Sequence, residues 1–286
     1  MLTAILLAEA AFGAVVVAAR HDEPPDARAE VNLAQTTVTV AGRSVRLVDA
    51  GGDVGGDLGG ERTRDLLERV RADLPAAIDS VQRFWGPRWP AEIVVVATRS
   101  DEQFARQARL DPAGRWSDIA AVSVADSVDP GARRADGQRI VLAPGAAAMS
   151  DTALRIVLSH ELFHLAARPD TATDAPRWLT EGVADFVARP PAPLPPGASA
   201  ATALPTDADL DAAGPQRSAG YDRAWWFARF VAEEFGADGL RRFYVAACEP
   251  GHGDFAESVR EALGTDIDDL RARWAQWLSR HSPQTG

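Results

Sequence analysis

Residues 154–166 read LRIVLSHELFHLA, a stretch that combines an apolar helical pattern with two of the five histidines of the chain. His160 and His164 are four positions apart, so on an α-helix their side chains lie one above the other, roughly 6 Å apart. This spacing lets two imidazoles bind one zinc ion, each nitrogen about 2.0–2.1 Å from the metal. Glu161 lies one helical step from His160, where its carboxylate can act on a water instead of ligating the metal. H-E-x-x-H also occurs by chance, and the helical apolar setting favours the metal interpretation.

A second segment, WLTEG at residues 178–182, supplies the third candidate ligand. Catalytic zinc sites usually have three protein ligands and keep the fourth position for water, so two histidines are one ligand short. Glu181 fills that place, and a helix beginning near Pro176 puts Asp185 one turn later on the same face. Asp185 is placed to accept the second N–H of a metal-bound histidine, the alternative being an ordinary solvated residue. The sequence therefore predicts one zinc ion per chain, bound by the two histidines and Glu181.

These segments resemble those of the gluzincin metallopeptidases, in which the third zinc ligand is a glutamate on the next helix. HELFH followed by WLTEGVADF is most similar to the peptidase MA-like proteins, whose second segment reads W-L-x-E-G-x-A, and the match covers residues 159–187. The resemblance implies an α+β fold of thermolysin-like zincin architecture, with a small mixed sheet beside the H-E-x-x-H helix and a helical C-terminal half. It also implies that Glu161 is the general base and acid, and that Asp185 supports a metal-bound histidine.

A hydrogen-bond donor besides zinc is needed for the oxyanion that forms during peptide hydrolysis. Tyr221 is expected at the start of the helix that follows a long loop, and it resembles the tyrosine at that place in related proteins. An ordinary hydrogen-bonded tyrosine is the alternative, and Arg223 and His252 are further candidates for the donor. His252 is also the residue that would close the site as a fourth ligand if the zinc were structural.

The expected activity is cleavage of internal peptide bonds in a peptide or protein substrate. Aminopeptidases of this clan resemble one another in a G-x-M-E-N segment, whose glutamate holds the free amine of the substrate. The nearest string here, GAAAM at residues 145–149, has no such glutamate, so an endopeptidase is favoured. The alternative is a catalytically inactive, membrane-tethered protein that binds zinc and has a regulatory role.

Composition excludes several other classes of function. A net charge of −11 argues against a nucleic-acid partner, because phosphate binding needs a basic surface. All thirty basic residues are arginine, which excludes a Walker lysine and Schiff-base chemistry and is typical of a GC-rich genome. With Cys248 as its one cysteine, the chain has no intrachain disulfide and no cysteine zinc ribbon.

The N-terminal residues 1–20 are predicted to be a signal or membrane-anchor segment, followed by a linker over residues 21–35. The apolar stretch of residues 1–19 approaches the length that spans a bilayer. A cleaved signal normally has a positively charged start, which is missing here, and an anchor would carry Glu9 at a cost of about 2–3 kcal/mol. A buried helix is the third interpretation. The protein is expected to be membrane-anchored or secreted, with its catalytic domain outside the cytoplasm.

The remaining chain is predicted to form an N-terminal α/β part over residues 36–150 and, over residues 151–286, metal-binding helices followed by a helical C-terminal part. Periodicity predicts the following elements before the H-E-x-x-H helix: a hairpin at 36–48, a loop at 51–60, helices at 61–84 and 101–108, and strands at 93–97, 119–124 and 139–142. One of the last two strands should be a sheet edge that pairs with an extended substrate, and 139–142 is preferred.

Beyond the metal-binding helices, residues 189–215 are rich in proline and alanine and show no periodicity, which predicts a lid, a specificity loop or disorder. Helices are predicted at 221–235, 240–247, 255–263 and 267–278. The aromatic residues of the first of these helices are expected to form core rather than a binding surface.

Overall fold

The computed structural model describes residues 34–51, 57–111, 114, 116 and 118–283. The chain divides into two compact units, the first ending at Pro169 and the second beginning at Asp170. The first contains a small mixed sheet with helices and the second is helical, which confirms the predicted α+β class. The predicted signal or anchor segment, residues 1–20, and most of the predicted linker, residues 21–35, lie outside the described residues.

The first unit begins with a β-hairpin of β1 (Ala34–Val40) and β2 (Arg43–Asp49). Ala41 and Gly42, which join the strands, have φ angles of 48° and 77°. Two consecutive residues with positive φ form the turn whose twist matches that of the flanking strands. The predicted hairpin is confirmed, and β1 begins inside the segment predicted as linker.

A long helix, α1 (Asp57–Trp85), follows the hairpin and continues through Pro75. It begins before residue 61, within the segment predicted as a loop. One face of α1 is buried, as its apolar periodicity predicts. The fully buried residues of this face include Val70, Leu74, Ala77, Ile78 and Val81.

The helix connects β2 to the central strands of a five-stranded sheet. The next elements are β3 (Glu92–Ala97), α2 (Asp101–Ala108), β4 (Ala121–Val124), β5 (Ser127–Asp129), β6 (Arg134–Asp136) and β7 (Arg139–Leu142). The sheet has the order β1-β2-β3-β7-β4, and β5 and β6 form a separate ribbon that periodicity did not predict. β3 is parallel to β2 and β7, whereas β4 is antiparallel to β7.

This order corrects the preference for residues 139–142 as the edge strand. β7 lies between β3 and β4, and its continuous apolar run IVL is fully buried, as a strand covered on both faces requires. β4 is the edge on that side of the sheet, and its residues alternate between buried and half-buried.

The motif helix α3 (Asp151–Ala167) packs against α1, β4 and β7 within the first unit. The ring of Phe163 lies 5.9 Å from that of Phe84 and 5.7 Å from that of Trp85. The first unit, which ends at Pro169, therefore contains the motif helix.

The second unit is built from helices around an aromatic core. Its helices are α4 (Arg177–Ala188), α5 (Asp207–Asp211), α6 (Pro215–Phe235), α7 (Ala237–Cys248), α8 (Phe255–Leu263) and α9 (Ile267–His281). The ring of Phe227 on α6 lies 5.3 Å from that of Trp178 on α4 and 5.6 Å from that of Trp274 on α9. The aromatic residues of α6 are therefore core, as predicted. Cys248 is also buried, and burial raises the pKa of its thiol, which suits packing rather than nucleophilic chemistry.

The segment after α4, predicted as a lid, specificity loop or disorder, packs into the second unit. Leu194 and Leu210 are buried, and α5 forms within the segment. A capping box at Thr206 and Asp209 starts α5. The disorder alternative is therefore wrong, whereas a lid or specificity loop stays a prediction. The helix α5 was not predicted because one helical turn is too short to produce a visible period.

Among the described residues, none of the helices has both the length and the apolar character needed to cross a lipid bilayer.

Candidate metal centre

The helix α3, which carries His160, Glu161 and His164, is stabilised by an N-terminal cap and by burial. The Ser150 side chain caps it by accepting a hydrogen bond from the backbone N–H of Ala153 at 3.2 Å. Most residues of α3 are buried, including Glu161, and apolar residues surround the polar motif. A helix that is apolar nearly all round is stable only inside a folded unit, so the motif is held in a rigid setting.

The imidazoles of His160 and His164 converge on one point. Their Nε2 atoms are 2.9 Å apart and their ring centroids 4.7 Å apart. Two nitrogens bound to one tetrahedral zinc at 2.0–2.1 Å would be about 3.3 Å apart, so a small movement of the rings suffices. Sequence spacing alone predicted this arrangement, because it is local to one helix.

The backbone of α4 positions Glu181 in the second unit. Pro176, just before the helix, offers no side-chain cap, and Asp207 takes that role instead: its Oδ1 accepts a hydrogen bond from the N–H of Trp178 at 2.8 Å. Glu181 lies in the following turn and is buried. This cap was not predicted, because Asp207 lies on α5 and not in the sequence around the motif.

Gly182, next to Glu181, lets α4 approach α6 closely. A Cβ at this position would lie 2.5 Å from the backbone oxygen of Ala224 on α6, well inside van der Waals contact. The glycine of WLTEG is therefore needed for packing, a role that sequence analysis had not assigned.

The three predicted ligands form one group. One ligand atom each of His160, His164 and Glu181 lies within 4.8 Å of the other two. Two imidazole nitrogens and one carboxylate oxygen are the donor set of catalytic zinc sites with two histidines and a glutamate. The residues therefore fit a zinc ion. The role of Glu161 as a base stays a prediction.

Asp185, one turn after Glu181, is buried and belongs to an ion network. The Nη1 atom of Arg189 lies 2.9 Å from Oδ2 of Asp185, and Nη2 lies 3.1 Å from Oδ1 of Asp222. The guanidinium also stacks over Trp225, 3.9 Å from the ring centroid. Asp185 is thus fixed in orientation, and its support of a metal-bound histidine stays a prediction.

Charges and burial act in opposite directions in this network. Burial lowers the pKa of Arg189, but the carboxylates of Asp185 and Asp222 outweigh it, so the pKa of Arg189 is raised. Burial raises the pKa of the Asp222 carboxyl, and Arg189 only partly opposes this effect. Arg189 and Asp222 had not been predicted: Arg189 is one turn after Asp185 on the same stretch of chain, and Asp222 joins the network through the contact of α4 with α6.

Tyr221 is buried in the second turn of α6 and not at its start, which corrects the predicted position. The helix begins earlier because Pro215 stands at its first position, where a missing N–H costs nothing. Tyr221 also acts on the guanidinium of Arg177. Burial lowers the pKa of Arg177, but Asp211, Tyr221 and Asp207 together outweigh burial, so the pKa is raised. The oxyanion role of Tyr221 remains a prediction.

The two other candidates for that role have charged partners. The guanidinium of Arg223 forms an ion pair with Asp209. The ring of His252 lies 3.6 Å from the carboxylate of Asp174, and His252 is not in the ligand group formed by the described residues. These contacts do not favour a structural zinc closed by His252.

Two solved structures of known proteins are distantly similar to this chain. No protein-family model and no curated protein matches the chain. A mutant of the M1 zinc metallopeptidase from Deinococcus radiodurans is similar at 13% identity and a TM-score of 0.44, over 88% of this chain and 53% of that chain. A mutant of a two-domain M1 zinc metallopeptidase bound to L-arginine is similar at 13% identity and a TM-score of 0.43, over 86% of this chain and 51% of that chain. This chain spans about half the length of both proteins.

Proposed function

We propose that this protein is a zinc-dependent endopeptidase of gluzincin type and thermolysin-like zincin architecture. One observation carries the proposal: ligand atoms of His160, His164 and Glu181 lie within 4.8 Å of one another, on the two motif helices α3 and α4. An absent G-x-M-E-N glutamate favours cleavage of internal bonds over removal of N-terminal residues. The N-terminal residues 1–20 would place the catalytic domain outside the cytoplasm, secreted or membrane-anchored.

Each residue of the site has a distinct task in this proposal. When bound, zinc would polarise the scissile carbonyl and lower the pKa of a water towards about 7. Glu161 takes the proton of the attacking water and returns it to the leaving amine. Asp185 orients a ligand histidine through its second ring nitrogen. Tyr221 donates a hydrogen bond to the oxyanion.

The edge strand β4 is the proposed binding surface for the substrate backbone. It packs against α3, the helix of the two histidines, and it has a sheet partner only on the side of β7 among the described strands. An extended peptide can add to such an edge through main-chain hydrogen bonds, which tolerate many side-chain sequences. This mode suits an enzyme that cleaves within varied peptides.

A quenched casein assay on the zinc-loaded full chain tests the proposal, with Glu161→Gln as the decisive variant. Loss of the base should lower the rate by at least about 100-fold, with zinc retained because no ligand is lost. Glu68→Gln is the matched control, since Glu68 is an exposed residue of α1 and should leave the rate unchanged. Zinc binding without cleavage of any peptide by the wild type would instead indicate the inactive zinc-binding protein.

A further inference from the structure

Arg168 places its guanidinium on the edge strand β4. It follows the last residue of α3, and its Nη2 atom lies 2.7 Å from both the carbonyl oxygen and the hydroxyl oxygen of Ser123. Its Nη1 atom donates a hydrogen bond to Oε1 of Gln138 at 2.9 Å. Three contacts fix the side chain, so Arg168 is a built part of this edge.

The register of the sheet shows which side of β4 the Ser123 carbonyl faces. Ala143 donates its N–H to the carbonyl of Ala120 at 2.9 Å, so this opposed pair is hydrogen-bonded. Bonded and non-bonded pairs alternate along an antiparallel ladder. Val122 and Val124 therefore bond to β7, whereas the N–H and C=O groups of Ala121 and Ser123 point away from it.

The partner strand gives an independent check on this alternation. Leu142, which is opposite Ala121, accepts a hydrogen bond from the N–H of Thr98 at 3.1 Å, just after β3. Its carbonyl thus faces β3 and not β4, as the alternation requires. Arg168 consequently occupies an outward carbonyl, the group with which an added peptide strand would pair.

Arg168 is also aligned with the histidine ligands. His160, His164 and Arg168 are spaced four residues apart, so they lie along one line of α3, with about 5.4–6 Å between successive residues. Ala121, the other outward-facing residue, lies about 7 Å before Ser123 along β4. A peptide that pairs with Ala121 and continues along β4 would meet the guanidinium where it reaches Ser123.

We infer that Arg168 is a specificity-determining residue, which ends the peptide-binding edge of β4 at Ser123. The inference rests on the proposed function. A substrate strand antiparallel to β4 has its N-terminal residues opposite Ser123 and its following residues opposite Ala121. Arg168 therefore limits how many substrate residues pair on the N-terminal side of the scissile bond and leaves the C-terminal side open.

Two series of quenched peptides test the role of Arg168. Both series contain the same central sequence. One series is lengthened residue by residue at the N-terminal end, and the other at the C-terminal end. In Arg168→Ala, kcat/KM for the longer N-terminal peptides should rise about fivefold or more over the wild type, the order expected for one regained backbone hydrogen bond. The C-terminal series should give the same profile in both proteins. Arg155→Ala is the matched control, because Arg155 lies on α3 but pairs with Asp73 of α1 and should change neither series.

Measurements of peptide binding test the role of Arg168 independently of turnover. Fluorescence anisotropy with the same peptides is measured in the Glu161→Gln background, and Arg168→Met, which keeps the apolar stem, is used if Arg168→Ala does not fold. Identical N-terminal profiles with and without Arg168, or a gain in the C-terminal series instead, would overturn the inference. Casein cleavage by the wild type would then still support the proposed function. A wild type that neither binds nor cleaves peptides would overturn both.

Discussion

At the scale of single residues, the main feature of the candidate site is that its three carboxylates are buried. Glu161, Glu181 and Asp185 are at most 6% exposed. A carboxylate removed from water needs a counter-charge or several hydrogen bonds to offset the loss of hydration. Arg189 supplies the counter-charge for Asp185, and a zinc ion would supply it for Glu181.

Arg189→Gln tests how much the network around Asp185 contributes to stability. Removing one partner of a buried ion pair should lower the free energy of unfolding by about 3 kcal/mol, because Asp185 stays buried with its charge. Urea unfolding measures the change. Arg71→Gln is the control, since Arg71 and Glu68 are both more than half exposed and their pair should contribute less than about 1 kcal/mol. Equal losses in the two variants would show that Asp185 has other sufficient partners.

The sequence predicted the residues whose geometry is local and missed those whose partners come from another helix. His160 and His164 converge because four residues make one helical turn. Arg189 supports Asp185 through one more turn of α4, but its contact with Asp222 depends on the packing of α6. The packing role of Gly182 was missed for the same reason, because it also depends on a contact with α6.

Close packing of α4 on α6 sets the position of Glu181 at the scale of elements. Gly182 allows this approach, and the cap from Asp207 holds the beginning of α4. Both contacts lie within one helical turn of the candidate ligand Glu181. Changes in this packing should therefore alter the zinc affinity.

Gly182→Ala is expected to force α4 and α6 apart. The added methyl group would lie 2.5 Å from a backbone oxygen, which cannot move independently of its helix. Unfolding free energy should fall by about 1–3 kcal/mol, as for overpacked cores, and zinc affinity should weaken with it. Gly145→Ala is the control, because a Cβ there meets nothing within 4 Å. Unchanged stability in Gly182→Ala would contradict the close approach.

Periodicity predicted long elements well and short ones poorly. The hairpin, α1, β3 and the helices after α6 were found because their patterns persist over several residues. The order of the strands was beyond periodicity, since a buried run such as that of β7 indicates a central strand but not its neighbours. α5 escaped prediction for its brevity, although it caps α4 and pairs with Arg177 and Arg223.

Metal binding should stabilise the whole molecule, because unfolding separates the ligands. A ligand present at about 100 times its Kd adds roughly 2.7 kcal/mol to the free energy of unfolding. For a chain of this size, chelation should lower the Tm by about 5 °C or more. Differential scanning calorimetry with and without chelator measures the shift, and added zinc should restore it. A Tm that is the same in chelator and in zinc would contradict a metal centre linked to folding.

Metal content tests the central claim most directly, that His160, His164 and Glu181 bind one zinc ion. Mass spectrometry of purified wild type, Glu161→Gln and Glu181→Ala gives the ratio of zinc to protein chain. We expect one zinc per chain in the first two proteins and a large loss in Glu181→Ala, since that variant alone removes a ligand. Full zinc content in Glu181→Ala would remove this residue from the ligand set, and no zinc in the wild type would contradict the claim as a whole.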